Sequence, residues 1–400
     1  MHLSRILPSG LAALAVATAL AAADKPAKMS FPAALEDLQL GHKAMIATDT
    51  RGNIAVWDPP RRLVGLWDRH GALVETCALD DLALPSDHAG LALRGDTVLL
   101  SFFDVAAESD GERRQVIVDL GRCKVAARFN LKGVMMGLTA TASDWVMFAR
   151  SDESPGAKLS LTVVNDKGEI VKTLDVEPSL KRLSEGQSFS AHLGPQTVTQ
   201  FAVGKDVWVI PAAAYQLWQP PQHGNSLREV FPPECLAATG HELTGQENIT
   251  HVLELSRNWP DDIRKSLELG AKHGGLSPSF LSATSRVVAW DTFVAVQVRG
   301  QKAGNGDRID IWDMLQESVV AMVPVSETRL LVGFNDSGLW VRVEDRKLER
   351  IPLPELWPKR FDPCAALEAI KTGSDKPATP PVASPAPTAA MAPPAPRGTP

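Results

Sequence analysis

An all-β chain built from a recurring unit is the fold class this sequence predicts, and three observations carry the expectation. Similar hairpins return along most of the 400 residues. The turns of the early copies are spaced by ~50, ~47 and ~55 residues, a period of blades and not of solenoid coils. Many strands also read as nearly continuous Val, Leu, Phe and Trp, which suits sheets covered on both faces. A further strand opened by a small polar turn precedes most hairpins, and another apolar segment lies upstream of it. The unit is therefore four antiparallel strands. Six hairpins predict a six-bladed β-propeller of four-stranded antiparallel blades.

Taken in order, the first residues, MHLSRILPSGLAALAVATALAAAD, carry Arg5, an apolar stretch from Leu11 to Leu20, and small residues before Asp24. That pattern predicts a secretory signal peptide over 1–23 and an exported chain, periplasmic or extracellular. The alternative is a membrane anchor, against which Pro8, Ser9 and Gly10 interrupt a weakly apolar stretch. No later segment is long and apolar enough to span a membrane, so none is expected after signal cleavage. A lead-in over 24–42 follows, then the propeller over 43–355.

The six hairpins are RRLVGLWDRHGALVETCAL from 61, RRQVIVDLGRCKVAARFNL from 113, KLSLTVVNDKGEIVKTLDV from 158, YQLWQPPQHGNSLREVFP from 215, DRIDIWDMLQESVVAMVPV from 307 and LWVRVEDRKLERIPL from 339. The innermost strands are expected at segments such as MGLTATA, VTQFAV and SATSRVVA, rich in Thr, Ser and Ala. Between the fourth and fifth turns the interval is ~90 residues, nearly twice the period. This predicts a helical insertion at about 236–279, with a strand at THVLELS and a short helix opened by Pro260, Asp261 and Asp262. A degenerate seventh blade is the alternative. The last repeat is short, and AMIATD at 44–49 is expected to supply its missing strand. A C-terminal helix over 356–373 is predicted from Asp362 as cap, Pro363 in the first turn and Gly373 at the end. The Pro- and Ala-rich stretch 374–400 is expected to be a disordered tail.

Lys and Arg number 41 against 47 Asp and Glu, a formal charge of −6, so no basic excess exists to neutralise phosphates and nucleic acid is not an expected partner. The four cysteines read as two disulfides in an exported chain, because none forms a CxxC pair or has zinc-site spacing to a histidine. Three connectivities are open. Cys77 ends the first hairpin and Cys123 sits in the second, while Cys235 opens the insertion and Cys364 begins the last helix. The repeat therefore favours Cys77 with Cys123 and Cys235 with Cys364.

Trp57-Asp58, Trp67-Asp68, Trp290-Asp291 and Trp312-Asp313 resemble the Trp-Asp repeats, although the Gly-His pair of those repeats is missing. Turns such as WDRHGALVE and NDKGEIVKT look more like those of NHL-type and other six-bladed bacterial propellers. The resemblance covers roughly residues 40 to 355. It implies a fold and carries over no functional residue. In the Trp-Asp pairs the Trp is expected to pack between blades and the Asp to start a turn.

No Gly-x-Ser-x-Gly elbow, Gly-rich phosphate loop or His-Glu-x-x-His motif is present. His88, His192 and His251 could converge at the channel as histidines do in metal-dependent lyase propellers, but nine scattered histidines fit surface or satisfied-core roles as well. The innermost segments offer few carboxylates for a hard cation. Neither a metal site nor a cofactor is expected. The loops after the second strand of successive blades should lie together on one face, which would place Arg62, Asp104, Arg150, Asp152, Tyr215 and Arg299 around the channel mouth; the alternative is that they are ordinary solvated turns, since loops are polar anyway. The expected function is a non-enzymatic binding or scaffold propeller of the bacterial cell envelope, taking a protein, peptide or glycan at that face. The alternative is a metal-dependent lactonase or lyase acting at the channel.

Overall fold

The structure, a computed structural model, describes residues 31–352 and 361–372, apart from 42–43, 81–87, 104–111, 151–158, 176–197, 212–213, 221–227, 244–245, 247–248, 251–264, 266–267, 271–278, 282, 300–306, 327 and 344–345. The first blade is β1 (Met45–Thr48), β2 (Ile54–Asp58), β3 (Leu63–Trp67) and β4 (Leu73–Ala78), antiparallel and hydrogen-bonded in that order. The second is β5 (His88–Arg94), β6 (Thr97–Phe103), β7 (Glu112–Asp119) and β8 (Lys124–Lys132), and the third β9 (Val134–Ala140), β10 (Trp145–Arg150), β11 (Leu159–Val164) and β12 (Ile170–Asp175). The fourth is β13 (Val198–Val203), β14 (Asp206–Pro211), β15 (Leu217–Gln219) and β16 (Arg228–Val230). A two-stranded ribbon of β17 (His241–Leu243) and β18 (Ser279–Leu281) precedes the fifth, β19 (Thr284–Trp290), β20 (Phe293–Val298), β21 (Arg308–Asp313) and β22 (Ser318–Pro324). The sixth is β23 (Arg329–Asn335), β24 (Gly338–Val343) and β25 (Lys347–Ile351). The chain is a six-bladed β-propeller.

Position within a blade explains the sequence pattern. The middle strand β2 is buried at every residue and β20 at all but its first, because neighbouring blades cover both faces. The outermost strand β8 alternates strictly between exposed and half-buried residues, since only one of its faces meets protein. The recurrent hairpin turn is an Asx turn. Asp68 Oδ1 accepts the N–H groups of His70 and Ala72 at 2.9 and 3.0 Å, and Asn165 Oδ1 accepts those of Lys167 and Glu169 at 2.9 and 3.0 Å. A carboxylate or amide at the strand end thus shapes the turn, and the Gly that follows takes the positive φ, 82° at Gly71 and 79° at Gly168. Trp57, Trp67 and Trp312 before such residues are buried within the blade cores.

Ring closure differs from the expectation. AMIATD contains β1, which pairs with β2 and is the first blade's own innermost strand. The sixth hairpin is the second and third strands of its blade, β24 and β25, so the strand it lacks is the outermost one. The lead-in fills that place. Gln39 bridges Lys347 on β25, and the Leu40 N–H donates to Arg346 O at 2.8 Å. Upstream, Ala34 bridges Ala72, and the Leu35 N–H donates to Gly71 O at 2.9 Å. Phe31, Leu35, Leu38 and Leu40 are buried against Trp67 and Trp340, joining first and last blades in one core.

The cysteines form Cys77–Cys123, between β4 and the β7–β8 turn, and Cys235–Cys364, between a 3₁₀ turn at Glu234–Leu236 and helix α1 (Pro363–Thr372). Asp362 caps α1, its Oδ1 accepting the N–H groups of Cys364 and Ala365 at 3.0 and 3.1 Å. Leu367 and Phe361 pack on the core shared by the fourth and fifth blades. In the insertion, Gln246, Ile249, Thr250, Lys265 and Glu268–Gly270 are helical. Thr250 Oγ1 donates to Gln246 O at 3.0 Å, a helical back-bond, so the strand expected at THVLELS does not begin there. The signal segment 1–23, the tail 374–400 and the Pro260-Asp261-Asp262 helix start lie outside the described residues. No described helix is long and apolar enough to cross a membrane.

Candidate functional site

The six innermost strands, β1, β5, β9, β13, β19 and β23, surround a channel of about 380 Å³. Small and hydroxyl-bearing residues dominate its wall, among them Thr48, Thr139, Thr199 and Ala202, because six strands converging on one axis leave little room for long side chains. Gly137 illustrates the crowding: a Cβ there would stand 3.1 Å from Gln200, whose Nε2 donates to Val146 O at 3.1 Å.

The two ends of the channel differ. At one end the turns joining first to second strands are short and bonded to one another. The Gly95 N–H donates to Asp49 Oδ2 at 3.0 Å, the Ala142 N–H to Gly204 O at 3.0 Å, the Asp291 N–H to Thr50 O at 2.8 Å, and Asn335 Nδ2 to Gly52 O at 3.2 Å. Burial raises the Asp49 pKa, while the N–H groups of Asn53, Gly95 and Arg51 and the Asn53 amide oppose the shift. At the opposite end second strands end and third strands begin, and the segments between them are longer in sequence, eight residues after β6 and after β10 and nine after β20.

Of the six residues expected to ring the channel mouth, the side chains of Arg62, Tyr215 and Arg299 are described. Arg62 is a turn clamp. Its φ is 52°, its N–H donates to Pro59 O at 3.0 Å, its Nη2 donates to Leu79 O at 3.3 Å, and its Nε pairs with Asp80 at 3.2 Å. Asp104 and Asp152 lie outside the described residues, and Arg150 ends β10 with its side chain outside them too. Arg299 follows β20, half-buried, its N–H donating to Ala283 O at 3.1 Å.

Tyr215 is a correction. It is 3% exposed, packed edge-on to Trp312 and part of the core between the fourth and fifth blades. Its hydroxyl accepts a hydrogen bond from Trp312 Nε1 and stands beside Asp310, so burial draws it inward from the loop where a polar residue is expected to face solvent.

One residue was missed in SATSRVVA. Arg286, in β19, lines the channel and carries the sole charge among its described lining residues. It reaches channel water yet is ringed by strands, and that burial pulls its pKa down, with Arg342 and Arg299 adding to the effect. Among the described residues no three His, Cys, Asp or Glu side chains stand together where they could hold a metal ion. His192 and His251, and the side chain of His88, lie outside them.

No family model matches the sequence, and no curated protein matches it. Solved structures similar to the chain include the β-propeller domain of the Trilobed protease from Pyrococcus furiosus, at 8% identity over 78% of this chain and 94% of that one, TM-score 0.38. Kluyveromyces lactis Hsv2 is similar at 9% identity over 79% and 95%, TM-score 0.39, and apo AztD from Citrobacter koseri at 10% over 77% and 71%, TM-score 0.32. Likenesses of this size assign no residue and no activity to the chain.

Proposed function

We propose that the protein is a non-enzymatic binding or scaffold propeller of the bacterial cell envelope, holding a protein, peptide or glycan partner at the end of the channel where the long connections gather. The observation that supports this is the asymmetry of the ends. Turns bonded to one another occupy one end, and the strand ends joined by longer segments, with Arg299 after one of them, stand at the other. The wall between them offers hydroxyls, one amide and one guanidinium, a set suited to holding a ligand. Two disulfides fit an oxidising compartment, in keeping with the signal-like segment at 1–23.

The test has two arms. Replacing Arg150 and Arg299 together with Gln should weaken capture of an envelope partner about tenfold or more while the melting temperature stays within a few degrees. Unchanged affinity would show that the wrong face was chosen. In parallel, metal analysis of the purified chain and assays on lactone substrates address the enzyme alternative; a stoichiometric ion held from three or more blades, with turnover, would replace the binding reading.

A further inference from the structure

We infer that the channel contains an anion site in which the Arg286 guanidinium, flanked by Arg299 and Arg342, receives a carboxylate or phosphate group of a small ligand. The inference rests on the reading of the channel as a binding site and gives that site its ligand chemistry. Among the described residues Arg286 has no acidic counterpart, unlike several other arginines. Arg62 pairs with Asp80, Arg94 with Asp166, Arg308 with Asp310 and Arg329 with Glu349. Among the described residues the Arg286 side chain has neither a hydrogen bond nor an ion pair.

Strand register shows why the fold itself does not satisfy it. Arg286 stands opposite Gln297 on β20, and that amide is already engaged, Nε2 donating to Arg329 O at 2.7 Å and Oε1 accepting the Leu331 N–H at 2.8 Å. A β-bulge lies between Thr284 and Arg286, and Ser285 and Arg286 both line the channel. The neighbouring Ser285 Oγ is buried and has no hydrogen-bond partner. The nearby charges that act on Arg286 are both positive: Arg299 beyond the end of β20, and Arg342 opposite Leu330 on the neighbouring sixth blade. The Arg286 guanidinium lines a partly desolvated cavity with like charge acting on it, and an oxyanion there offsets that repulsion while accepting planar, charge-assisted hydrogen bonds. A volume of about 380 Å³ admits a small organic anion.

The experiment measures binding of inorganic phosphate and of citrate to the full mature chain by calorimetry and thermal shift, with chloride holding ionic strength constant. At least one probe should bind saturably at one site and raise Tm, phosphate alone indicating a phosphate-bearing ligand and citrate alone a carboxylate-bearing one. Arg286→Gln should weaken that probe about tenfold or more, and in chloride alone it should melt no lower than the parent chain. Arg286→Lys, which keeps the charge but not the fork, should show an intermediate loss. No saturable binding by either probe, or unchanged affinity in Arg286→Gln, overturns the inference. So does a failure of Arg286→Gln to fold, since it would give Arg286 a structural role in place of a ligand. These readouts use small anions, so their failure leaves partner capture through Arg150 and Arg299 to stand or fall separately.

Discussion

Trp312 Nε1 donates a 2.6 Å hydrogen bond to the hydroxyl oxygen of Tyr215, joining the third strand of the fifth blade to the fourth blade across 97 residues of sequence. Tyr215 is the chain's single tyrosine. Burial first, and then the charge of Asp310, push its phenol well above the usual tyrosine value. The unfolded chain therefore gives up this proton before the folded one does. Stability from this group is fully present below about pH 10 and is lost as pH rises above it. In an alkaline titration, tyrosinate absorbance should appear together with loss of the β-sheet circular dichroism signal. A tyrosinate band near pH ~10 in a still-folded chain would contradict the buried placement.

Arg308 and Asp310 lie beneath this pair. Arg308 Nε donates to Asp310 Oδ1 at 2.9 Å and its Nη2 to Leu236 O at 3.0 Å, with both side chains buried. Burial raises the Asp310 pKa even against the pull of Arg308, so the folded chain holds this proton to higher pH than the unfolded one. The contribution of Asp310 to stability is therefore greatest below about pH 4 and declines as pH rises through its raised value. Asp310→Asn leaves a buried guanidinium without its counter-charge and should cost about 3–5 kcal/mol in urea unfolding. The double variant Arg308→Met, Asp310→Leu should cost less than either single change. Equal or additive losses would show that the pair is not coupled.

The same corner carries Cys235–Cys364, which closes a sequence separation of 129 residues and ties α1 to the turn that contains Leu236. Replacing both cysteines with Ser should lower stability by at most about 5 kcal/mol on chain-entropy grounds. The larger expected effect is local. With only Leu367 of α1 fully buried, the helix should become protease-sensitive while the propeller stays intact. Limited proteolysis followed by mass spectrometry reads this directly, and a helix equally resistant with and without the bond would defeat the expectation.

Features set by local chemistry were readable from the sequence, and those set by distant partners were not. Asp68 and Asn165 announce their turns because the accepting oxygen, the two N–H groups and the Gly all lie within a few residues. The pairing of Cys77 with Cys123 followed from repeat position, since both lie in the outer hairpins of adjacent blades. Gln39 against Lys347 is a single bridge with no periodic signal, so the closing strand was assigned one segment too late. Tyr215 sits in a Pro- and Ala-rich loop and reads as exposed until Trp312 is placed over it. Arg286 lies in a segment whose Thr, Ser and Ala conceal its one charge, and nothing local in the sequence marks it as a channel-lining residue.

Closure of the ring by the lead-in yields the last prediction. A propeller closed by strands of its first blade alone would keep its stability when residues before β1 are altered. Here Leu35 is fully buried, its N–H is bonded to Gly71 O, and Phe31 lies edge-on to Trp67 with ring centroids 5.2 Å apart. Leu35→Ala should therefore cost about 2–5 kcal/mol, the range for a buried leucine whose cavity cannot collapse. Gly65→Ala probes the same contact from the other side, because a Cβ at Gly65 would stand 2.6 Å from both Phe31 and Trp67 and must displace the lead-in. Hydrogen exchange on this variant should show the amides of Leu35 and Leu40 losing protection together with those of β25, while β10 and β14 stay protected. Loss confined to β3, or uniform loss across all blades, would show that residues 31–40 are packed on the ring without closing it.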